Sequence, residues 1–485
     1  MILNKTMPFT FKNINESLKK PFKGSFFFSN ETLSIVSLIN HVVDNKPFTT
    51  KEYFCSFIQY LISDIDKKIE YLLNKIIHHQ TFMKLEASWK GIFLLANKIE
   101  YDKKIKIKIL CVTWEELAND FSKATEFDQS AIFQKIYSLE FGTPGGEPFG
   151  ILLGDYEIFK GNSAKLSQDI RVLEQFSMVA AASFCPFITS INSKLFNLES
   201  FNSLRFLKSS PNIEGSAGIS WHKLRKSTDS RFLGLIGPKT LYRTPYKSDL
   251  ITSRNIIFEE TFEKDNEGYP FGNPVYPFAS LIIAEYTESG WLSGLRGSKE
   301  NELGNGLIND IPYEVSGIDS TKFSKIHPIE CIVTNSMEQI FDLCGIMGFS
   351  PAGFGHELIL HNCPSIHSPE NYSKDIANQN AQISSLLNYI LCVSRFAHYI
   401  KIIGRDKIGS FKTPEEYETY TNNWLQKFCS NTNSISNSTP LRYGKIEVSE
   451  NPSKPGTYSS TIHLQPHMQI DQIYATIKLV TIVES

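Results

Sequence analysis

The stretch from Lys84 to Ile99 carries a helical pattern of apolar residues. They recur at spacings of three and four, the period of one face of an α-helix. The residues on this face are Leu85, Trp89, Ile92, Phe93, Ala96 and Ile99. The pattern predicts an amphipathic helix that buries this face. By itself it indicates a structural element and no chemistry.

The segment before this stretch is predicted to be helical as well. Thr50 is a suitable N-cap, and a break is expected near residues 78–80. Between them the apolar residues keep the helical spacing: Phe54, Phe57, Ile58, Leu61, Ile65, Ile69, Leu72, Leu73 and Ile76. Residues 1–50 show no sustained period, which is typical of an arm rather than of a domain.

The middle of the chain is predicted to be mixed α and β. Lysine and isoleucine alternate strictly over residues 104–109, which predicts an edge or solvated strand with one face of lysines. Helices are predicted at 114–124, 128–141 and 167–184, and a strand at 151–154. Short apolar runs then alternate with Gly, Pro and Asn clusters to about residue 370.

The C-terminal part contains a predicted helix, 390–405, with two distinct faces. One face is apolar and comprises Val393, Phe396, Ile400 and Ile403, and the other is polar and comprises His398, Lys401 and Arg405. The pattern alone fits either a solvated face or a docking surface for an acidic or mixed-charge partner. A helix is predicted at about 415–428, followed by strands at 445–449, 457–464 and 473–480.

Length and charge narrow the class of protein. The chain has 485 residues, of which 41% are apolar, enough for two or three domains. Its formal net charge is −2, so no global field favours nucleic acid or an anionic membrane. It lacks the apolar core of a signal peptide, and no apolar run reaches the roughly 20 residues that span a bilayer. We expect a cytosolic protein with no nucleic-acid partner and no membrane insertion.

The glycine-rich loop FGTPGGEPFG at 141–150 suggests nucleotide binding, but its position argues against that function. It lies between a predicted helix and a strand, whereas a phosphate-binding loop follows a strand and opens a helix. A sharp turn that needs glycine is the simpler interpretation.

Possible metal ligands cluster in one short segment: His356, His361, Cys363 and His367. Histidines five apart on a helix point in different directions, so they do not form a zincin-type pair. No Gly-x-Ser-x-Gly motif occurs either. We therefore predict no catalytic, cofactor or metal site, although a small-molecule enzyme with a dispersed site stays an alternative.

Several colinear segments from about Asp64 onward resemble the large subunit of the type VI secretion contractile sheath, the TssC/VipB family. They include LEASWKG (85–91), EFDQSAIFQKIY (126–137), EFGTPGGEPFGILLGDYE (140–157), PFITSINSKLF (186–196), DSRFLGL (229–235), GWLSGLRG (290–297) and SRFAHYIKIIGRDKIGSF (394–411). The first 50 residues and the block at 299–371 match poorly.

The resemblance implies an α+β, multi-domain contractile-sheath fold. Residues 1–50 would be a linker arm. Residues 51–371 would combine a helical region with a mixed α/β sheath domain. Residues 372–485 would be the inner, tube-facing α+β domain, whose strands are exchanged between subunits. A sheath protein of a related phage-tail-like contractile particle would share this architecture and is the alternative.

The resemblance also implies partners rather than substrates. Such a protein pairs with a small sheath subunit (TssB/VipA-like) and polymerises into a helical tube around an inner tube of an Hcp-like ring protein. The tube starts from a baseplate at the inner membrane, in the bacterial cytoplasm, and a ClpV-like AAA+ unfoldase recycles it in many systems. Contraction would propel the inner tube and its effectors into a target cell.

Three sets of residues are assigned to contacts on this basis. The inner-tube contact is predicted at Arg395, His398, Lys401, Arg405, Asp406 and Lys407. Leu85, Glu86 and Trp89 are predicted to lie either at the small-subunit interface or in the core. Strand exchange between subunits is predicted for Ile446, Val448, Ile462, Leu464, Ile473, Ile477 and Leu479.

Overall fold

The fold was analysed in a computed structural model. It describes residues 2–3, 51–99, 105–143, 145–161, 163–206, 213, 215–246, 258–261, 268–292, 294–295, 306–315, 324–352, 357–406, 414–430, 439–450, 457–466 and 477–484. Its longer helices are α1 (Lys51–Ile77), α2 (Gln80–Lys98), α3 (Trp114–Lys123), α4 (Ser163–Ser183), α5 (Gly215–Lys226), α6 (Val275–Ser289), α7 (Asn335–Cys344), α8 (Asp375–Ser384), α9 (Leu387–Asp406) and α10 (Pro414–Gln426).

Short helical segments connect several of these elements. The predicted helix at 128–141 is a chain of a 3₁₀ turn, Phe127–Gln129, followed by Ala131–Phe133, Gln134–Ser138 and Leu139–Phe141, of which Gln134–Ser138 is a π-helix. Further 3₁₀ turns are Ser193–Phe196, Phe201–Phe206 and Thr228–Phe232. Helix α3 starts at a capping box, in which Thr113 and Glu116 exchange side-chain and main-chain hydrogen bonds.

The strands fall into one large sheet and several small ones. They are β1 (Ile2–Leu3), β2 (Leu110–Cys111), β3 (Leu152–Ile158), β4 (Phe187–Ile191), β5 (Leu233–Ile236), β6 (Thr240–Leu241), β7 (Phe271–Gly272), β8 (Leu307–Ile308), β9 (Glu314–Val315), β10 (Ser324–Ile326), β11 (Ile346–Met347), β12 (Ser350–Ala352), β13 (Glu357–Ile359), β14 (Leu441–Glu450), β15 (Thr457–Pro466) and β16 (Ile477–Glu484). The architecture is therefore α+β, as predicted.

Contacts divide the chain into two units. The smaller unit holds Thr6–Glu86 and Thr244–Pro270. Among its described residues, His78 Nε2 lies 2.9 Å from Glu260 Oε1, and the Tyr246 amide donates to the other Glu260 carboxylate oxygen at 2.9 Å. The larger unit holds Met1–Lys5, Ala87–Arg243 and Phe271–Ser485, and it contains all the surfaces considered below.

A six-stranded parallel sheet forms the centre of the larger unit, in the order β11-β5-β4-β3-β1-β2. Its central strands are apolar on both faces, as expected of a parallel sheet covered by helices. Leu152, Phe187 and Leu235 pack on one face, in a core shared with α4, α5 and α7. Neighbouring residues of the same strands pack on the other face, in a core shared with α2, α6 and the start of α9.

A smaller antiparallel sheet, β14-β15-β16, follows α10. It shares a third core with α9 and α10 that is centred on Phe396, which is fully buried and stacks on Trp291 with ring centroids 4.6 Å apart. The three predicted C-terminal strands are confirmed with shifted ends, and Ile473 lies outside the described residues.

The predicted strand at 104–109 is wrong within its described part, because residues 105–109 are not in a strand and β2 covers Leu110–Cys111. Two of its lysines form ion pairs instead. Lys106 pairs with Glu147 at 2.6 Å and Lys108 with Glu140 at 2.5 Å. The alternation therefore reflects Ile105 and Ile107 packing against the core on one side and ion pairs on the other, while Ile109 is exposed.

Candidate functional site

Helix α2 faces the core with small residues. Its buried residues in the larger unit are Ala87, Gly91 and Leu95, spaced four apart. A Cβ added to Gly91 would lie 2.4 Å from the ring of Tyr276, so only glycine permits this approach of α2 to α6. The predicted buried face is therefore only partly confirmed. Ile92 and Ile99 pack against the core as expected. Trp89, Phe93 and Ala96 are exposed, because the close approach to α6 is made on the side of Ala87 and Gly91.

A hydrogen bond ties α2 to the central sheet. Ser88 Oγ donates to the carboxylate of Asp155, on β3. Burial raises the pKa of Asp155, opposed by hydrogen bonds from Ser88, Tyr276 and Asn273. Two segments that carry the resemblance, LEASWKG and the GDYE end of the glycine-rich segment, thus meet at this contact.

The opposite face of α2 presents two large aromatic side chains outward. Trp89 is 61% exposed and Phe93 is 62% exposed, one helical turn apart. Beside Phe93 lies an open groove of about 500 Å³, lined by apolar atoms of Leu94, Pro277 and Ile311 among others. The predicted residue Trp89 therefore lies on the surface of the larger unit, next to an apolar groove, and not in its core. The two residues predicted with it, Leu85 and Glu86, are partly buried residues of the smaller unit.

The polar stripe of α9 turns inward. His398 is buried, and its Nε2 donates to the carbonyl oxygen of Ser183 at 3.0 Å. Lys401 Nζ donates to the carbonyl oxygen of Ala182 at 3.3 Å. Burial lowers the pKa of His398 to about 4 and that of Lys401 to about 8.

Three aromatic rings surround Lys401. Its Nζ lies 4.9 Å from the ring centroid of Tyr137, 5.0 Å from that of Phe141 and 4.9 Å from that of Phe184. Such distances allow cation–π attraction to each ring. The sequence analysis missed this cage, although the aromatic spacing Phe133, Tyr137, Phe141 marks one face of a helix and is visible in the sequence.

Arg405 binds the glycine-rich loop. Its Nη1 lies 3.1–3.4 Å from four main-chain carbonyl oxygens, those of Glu140, Phe141, Thr143 and Gly146. A Cβ on Gly142 would lie 2.6 Å from the Ser138 carbonyl oxygen, and one on Gly146 would lie 2.3 Å from that of Glu140. The glycines thus allow the turn that gathers these carbonyl groups around a cation, and the same carbonyl groups would repel a phosphate.

The other predicted tube-contact residues lie in different surroundings. Arg395 packs over the ring of Tyr286, at 4.4 Å, and near that of Trp291, at 5.2 Å. The carboxylate of Asp406 is exposed and accepts a hydrogen bond from Arg405 Nε at 3.0 Å. Lys407 lies outside the described residues. The tube contact stays a prediction, and Asp406 is its exposed member on α9.

The candidate metal ligands do not share a site where they are described. His361 is exposed, whereas Cys363 is buried with its Sγ 3.5 Å from Met347 Sδ. His367 is buried and hydrogen-bonds the Ser227 carbonyl oxygen and the Ser230 hydroxyl, and burial lowers its pKa. His356 lies outside the described residues. Among the described residues, no three His, Cys, Asp or Glu side chains are grouped to hold a metal ion.

The residues predicted for strand exchange pair within the chain where they are described. Ile446 and Ile462 face each other across β14 and β15, and both are buried. In backbone register, β15 residues Leu464 and Ile462 pair with Ile477 and Leu479 of β16. Val448 is partly buried on the same core. Exchange between subunits stays a prediction.

Side chains of α10 close the outer edge of β14. Asn422 donates to the carbonyl oxygen of Ile446 at 2.7 Å and accepts from its amide at 2.9 Å. Gln426 donates to the Gly444 carbonyl oxygen at 2.9 Å, and the Val448 amide donates to Glu418 at 3.0 Å. These bonds satisfy main-chain groups that an edge strand would otherwise leave open.

Sequence models of known protein families match most of the chain and show which family it belongs to. The sequence model described as "EvpB/VC_A0108, tail sheath N-terminal domain" matches residues 59–367, and the model described as "EvpB/VC_A0108, tail sheath gpW/gp25-like domain" matches residues 376–483. The chain belongs to this tail sheath family. It is a structural protein of the contractile-sheath class, as the sequence resemblance predicted.

This sheath protein is also similar to one named relative over most of its length. It is 30% identical, over 458 residues, to the type VI secretion system sheath protein TssC1 of Pseudomonas aeruginosa, and the match covers 92% of this chain and 90% of the relative. We name the two matched parts of the sheath protein the sheath region (59–367) and the C-terminal region (376–483). The predicted domain boundary at 371/372 falls between them and stays a prediction.

Two solved structures show distant similarity to the sheath protein. One is a chain of the anti-feeding prophage baseplate, with a TM-score of 0.34 and 10% identity, covering 79% of this chain and 80% of that one. The other is a sheath tail protein from Desulfitobacterium hafniense, with a TM-score of 0.30 and 8% identity, covering 68% and 56%. Among the described residues, no helix is long and apolar enough to cross a membrane.

Proposed function

We propose that this sheath protein is the large subunit of a two-component type VI secretion sheath. It pairs with a small sheath subunit, and the pairs polymerise into a helical tube around an inner tube of ring protein. Contraction of this lattice drives the inner tube outward. The family match and the relative from Pseudomonas aeruginosa support the sheath role. The outer face of α2 is the observation that supports the heteromeric partner.

The outer face of α2, Trp89 with Phe93 and the adjoining groove, fits a helix of another polypeptide. Large aromatic residues are enriched where proteins associate, because they bury much apolar area with few rotatable bonds. Within the larger unit, the helix buries Ala87, Gly91 and Leu95 and exposes both of its aromatic residues. Lys90, exposed between them, would favour a partner helix that is apolar with an acidic residue opposite this lysine.

The small C-terminal sheet could accept a strand from another subunit at one of its two edges. Because α10 closes the edge of β14, an added strand would pair with the outer edge of β16. No strand among the described residues occupies that edge. We propose that a neighbouring subunit supplies it. The linker arm predicted at 1–50 is one candidate for the donor, and it lies outside the described residues apart from β1, which pairs within the central sheet.

The remaining partners follow from the same proposal. The sheath would assemble on a baseplate in the bacterial cytoplasm, and an AAA+ unfoldase would recycle contracted sheath. The inner tube would meet the end of α9 at the exposed Asp406, since Lys401 and Arg405 make their contacts within the chain.

Co-expression with the candidate small subunit encoded by the neighbouring gene tests the proposal. The double variant Trp89→Ser with Phe93→Ser should lose co-purification of the small subunit and the tubules seen by negative-stain electron microscopy. Its thermal unfolding should match that of the unmodified chain, because both side chains are exposed.

Phe206→Ser is the matched control, since Phe206 is 70% exposed on a different surface of the larger unit. It should retain both the partner and the tubules. Undiminished co-purification of the double variant would refute this interface. Discrete particles without tubules from the unmodified pair would refute the two-component sheath.

A further inference from the structure

We propose that Lys401 and Arg405 form a latch that fastens the C-terminal region to the sheath region. Its receptor is the turn at 139–147, which includes the first part of the glycine-rich loop. Both cations lie on α9, in the C-terminal region. Apart from Asp406, which holds Arg405 Nε, the groups that they contact lie in the sheath region, within residues 137–146 and 182–184.

The Arg405 contact is built for a guanidinium group. Four carbonyl oxygens of one turn converge on Nη1, and Nε is held separately by Asp406. Hydrogen bonds from a charged donor to neutral acceptors are stronger than neutral pairs, and a planar fork loses less entropy per bond than a flexible ammonium group does. Removing Arg405 would leave four carbonyl groups of the loop without this donor.

The loop is preorganised by contacts of its own. Glu140 accepts from the amide of Glu147 at 2.9 Å and pairs with Lys108, and Glu147 pairs with Lys106. The two positions where a Cβ would collide with the backbone are Gly142 and Gly146. The turn is therefore shaped in part by the sheath region itself, and Arg405 completes it by bonding to the carbonyl oxygens that it gathers.

Lys401 supplies the second contact. Its ammonium group is enclosed by three rings and one carbonyl oxygen, and among the described residues no carboxylate forms an ion pair with it. A buried cation without an anion is costly unless rings and dipoles replace its water. The cage on the sheath region provides these groups, and the lowered pKa agrees with this burial.

The position of the two cations gives the latch its mechanical role. The start of α9 is already held in the core below the central sheet, through Leu387 and Leu391. Its 20 residues extend about 30 Å, so the far end needs a second attachment. Arg405, the penultimate residue of α9, and Lys401, about one turn before it, provide this attachment. This makes α10 and the small sheet follow the sheath region as one body, a consequence that rests on the proposed sheath function.

Hydrogen–deuterium exchange of the full chain, which needs no partner protein, tests the latch. In Arg405→Met and in Lys401→Met, amide exchange should rise at least tenfold in residues 139–147 and in the second half of α9. Exchange in β3 and β4 should stay unchanged. Lys427→Met is the matched control, because Lys427 is an exposed lysine just after α10, and it should change neither segment.

Unchanged exchange at 139–147 in both variants would overturn the proposal. Arg405→Lys is a milder variant, because it keeps the positive charge and loses the planar guanidinium group. Amide exchange at 139–147 should rise by a smaller factor than in Arg405→Met. A double-mutant cycle with Tyr137→Leu adds an independent criterion. The effects of Tyr137→Leu and Lys401→Met on amide exchange at 139–147 should be non-additive, because each variant removes the same contact. Additive effects would remove Tyr137 from the latch. The sheath function is judged separately by tubule formation.

Discussion

The outer face of α2 and the polar face of α9 are a contrasting pair. Both helices have a sequence pattern with two faces, and each departs from the expected orientation in its own way. Helix α9 buries its apolar face as predicted, and its polar face also makes contacts within the chain. Helix α2 turns Trp89 and Phe93 outward and buries Ala87 and Gly91. Helix α9 turns three basic side chains inward against the sheath region.

The contrast shows that packing distance and local acceptors can outweigh hydropathy. Gly91 lets α2 approach the buried ring of Tyr276 more closely than an aromatic face could. The inward cations of α9 are tolerated because carbonyl oxygens and aromatic rings replace the water they lose. Apolar area left outside then becomes available to a partner, while charge placed inside serves to hold two regions together.

The variants with the largest expected difference in the free energy of unfolding test which face of each helix stabilises the folded chain. Phe396→Ala removes a fully buried ring from α9 and should lower the free energy of unfolding by about 3 to 5 kcal/mol. Phe93→Ala makes the same chemical change at a side chain that is 62% exposed and should cost less than about 1 kcal/mol. Denaturant unfolding of both variants measures the difference. Equal losses would show that Phe93 is packed in the free chain.

A second test concerns the close approach of α2. Gly91→Ala places a Cβ 2.4 Å from the Tyr276 ring, and overpacking costs about 1 to 3 kcal/mol, offset by about 1 kcal/mol of helix propensity. A net loss of about 1 kcal/mol is therefore expected in denaturant unfolding. Gly150→Ala is the control, since a Cβ there meets no atom within 4 Å. A stabilised Gly91→Ala variant would mean that α2 lies farther from α6.

The sequence predicted the elements better than their contacts. The helical period located α1, α2, α4, α9 and α10, and alternation located the C-terminal strands. These patterns depend on local geometry, which a window of ten to twenty residues contains. The break between α1 and α2 was predicted for the same reason.

The rest depends on pairs that are distant in sequence. Arg405 meets Gly146 across 259 residues and His398 meets Ser183 across 215, so nothing near either residue marks the contact. The prediction of a strand at 104–109 was wrong for a similar reason: Lys106 and Lys108 pair with acidic residues that lie 41 and 32 positions away in the sequence. Only the family resemblance connected the glycine-rich loop and α9, and it did so without stating that they touch.

A third test extends the contrast to α10, where a polar side chain closes a strand edge. Asn422→Ala removes two hydrogen bonds to the main chain of Ile446 and should cost about 1 to 1.5 kcal/mol. It should also speed amide exchange at Ile446. Asn423→Ala is the matched control, because Asn423 is the exposed neighbour on the same helix. Equal exchange at Ile446 in the two variants would show that α10 does not protect this edge.

The smallest expected effect concerns the proton on His398. Its pKa is about 4 in the folded chain, because burial and the nearby charges of Lys401 and Arg395 disfavour the imidazolium form, and about 6.5 when unfolded. As the pH falls from 6.5 to 5.5, the unfolded chain therefore gains a proton that the folded chain does not. Stability should fall over this window, by about 1 kcal/mol from this group.

His398→Gln isolates this contribution, because glutamine can keep a donor to the Ser183 carbonyl oxygen and does not titrate. The buried His367, whose pKa is also lowered, is present in both proteins and cancels in the difference. Denaturant unfolding at pH 6.5 and 5.5 should show the unmodified chain losing about 1 kcal/mol more than the variant. Parallel losses would mean that His398 takes up a proton in the folded state, which the inward orientation of α9 does not permit. The polar face of α9 would then be open to water, and the contrast with α2 would fail at this position.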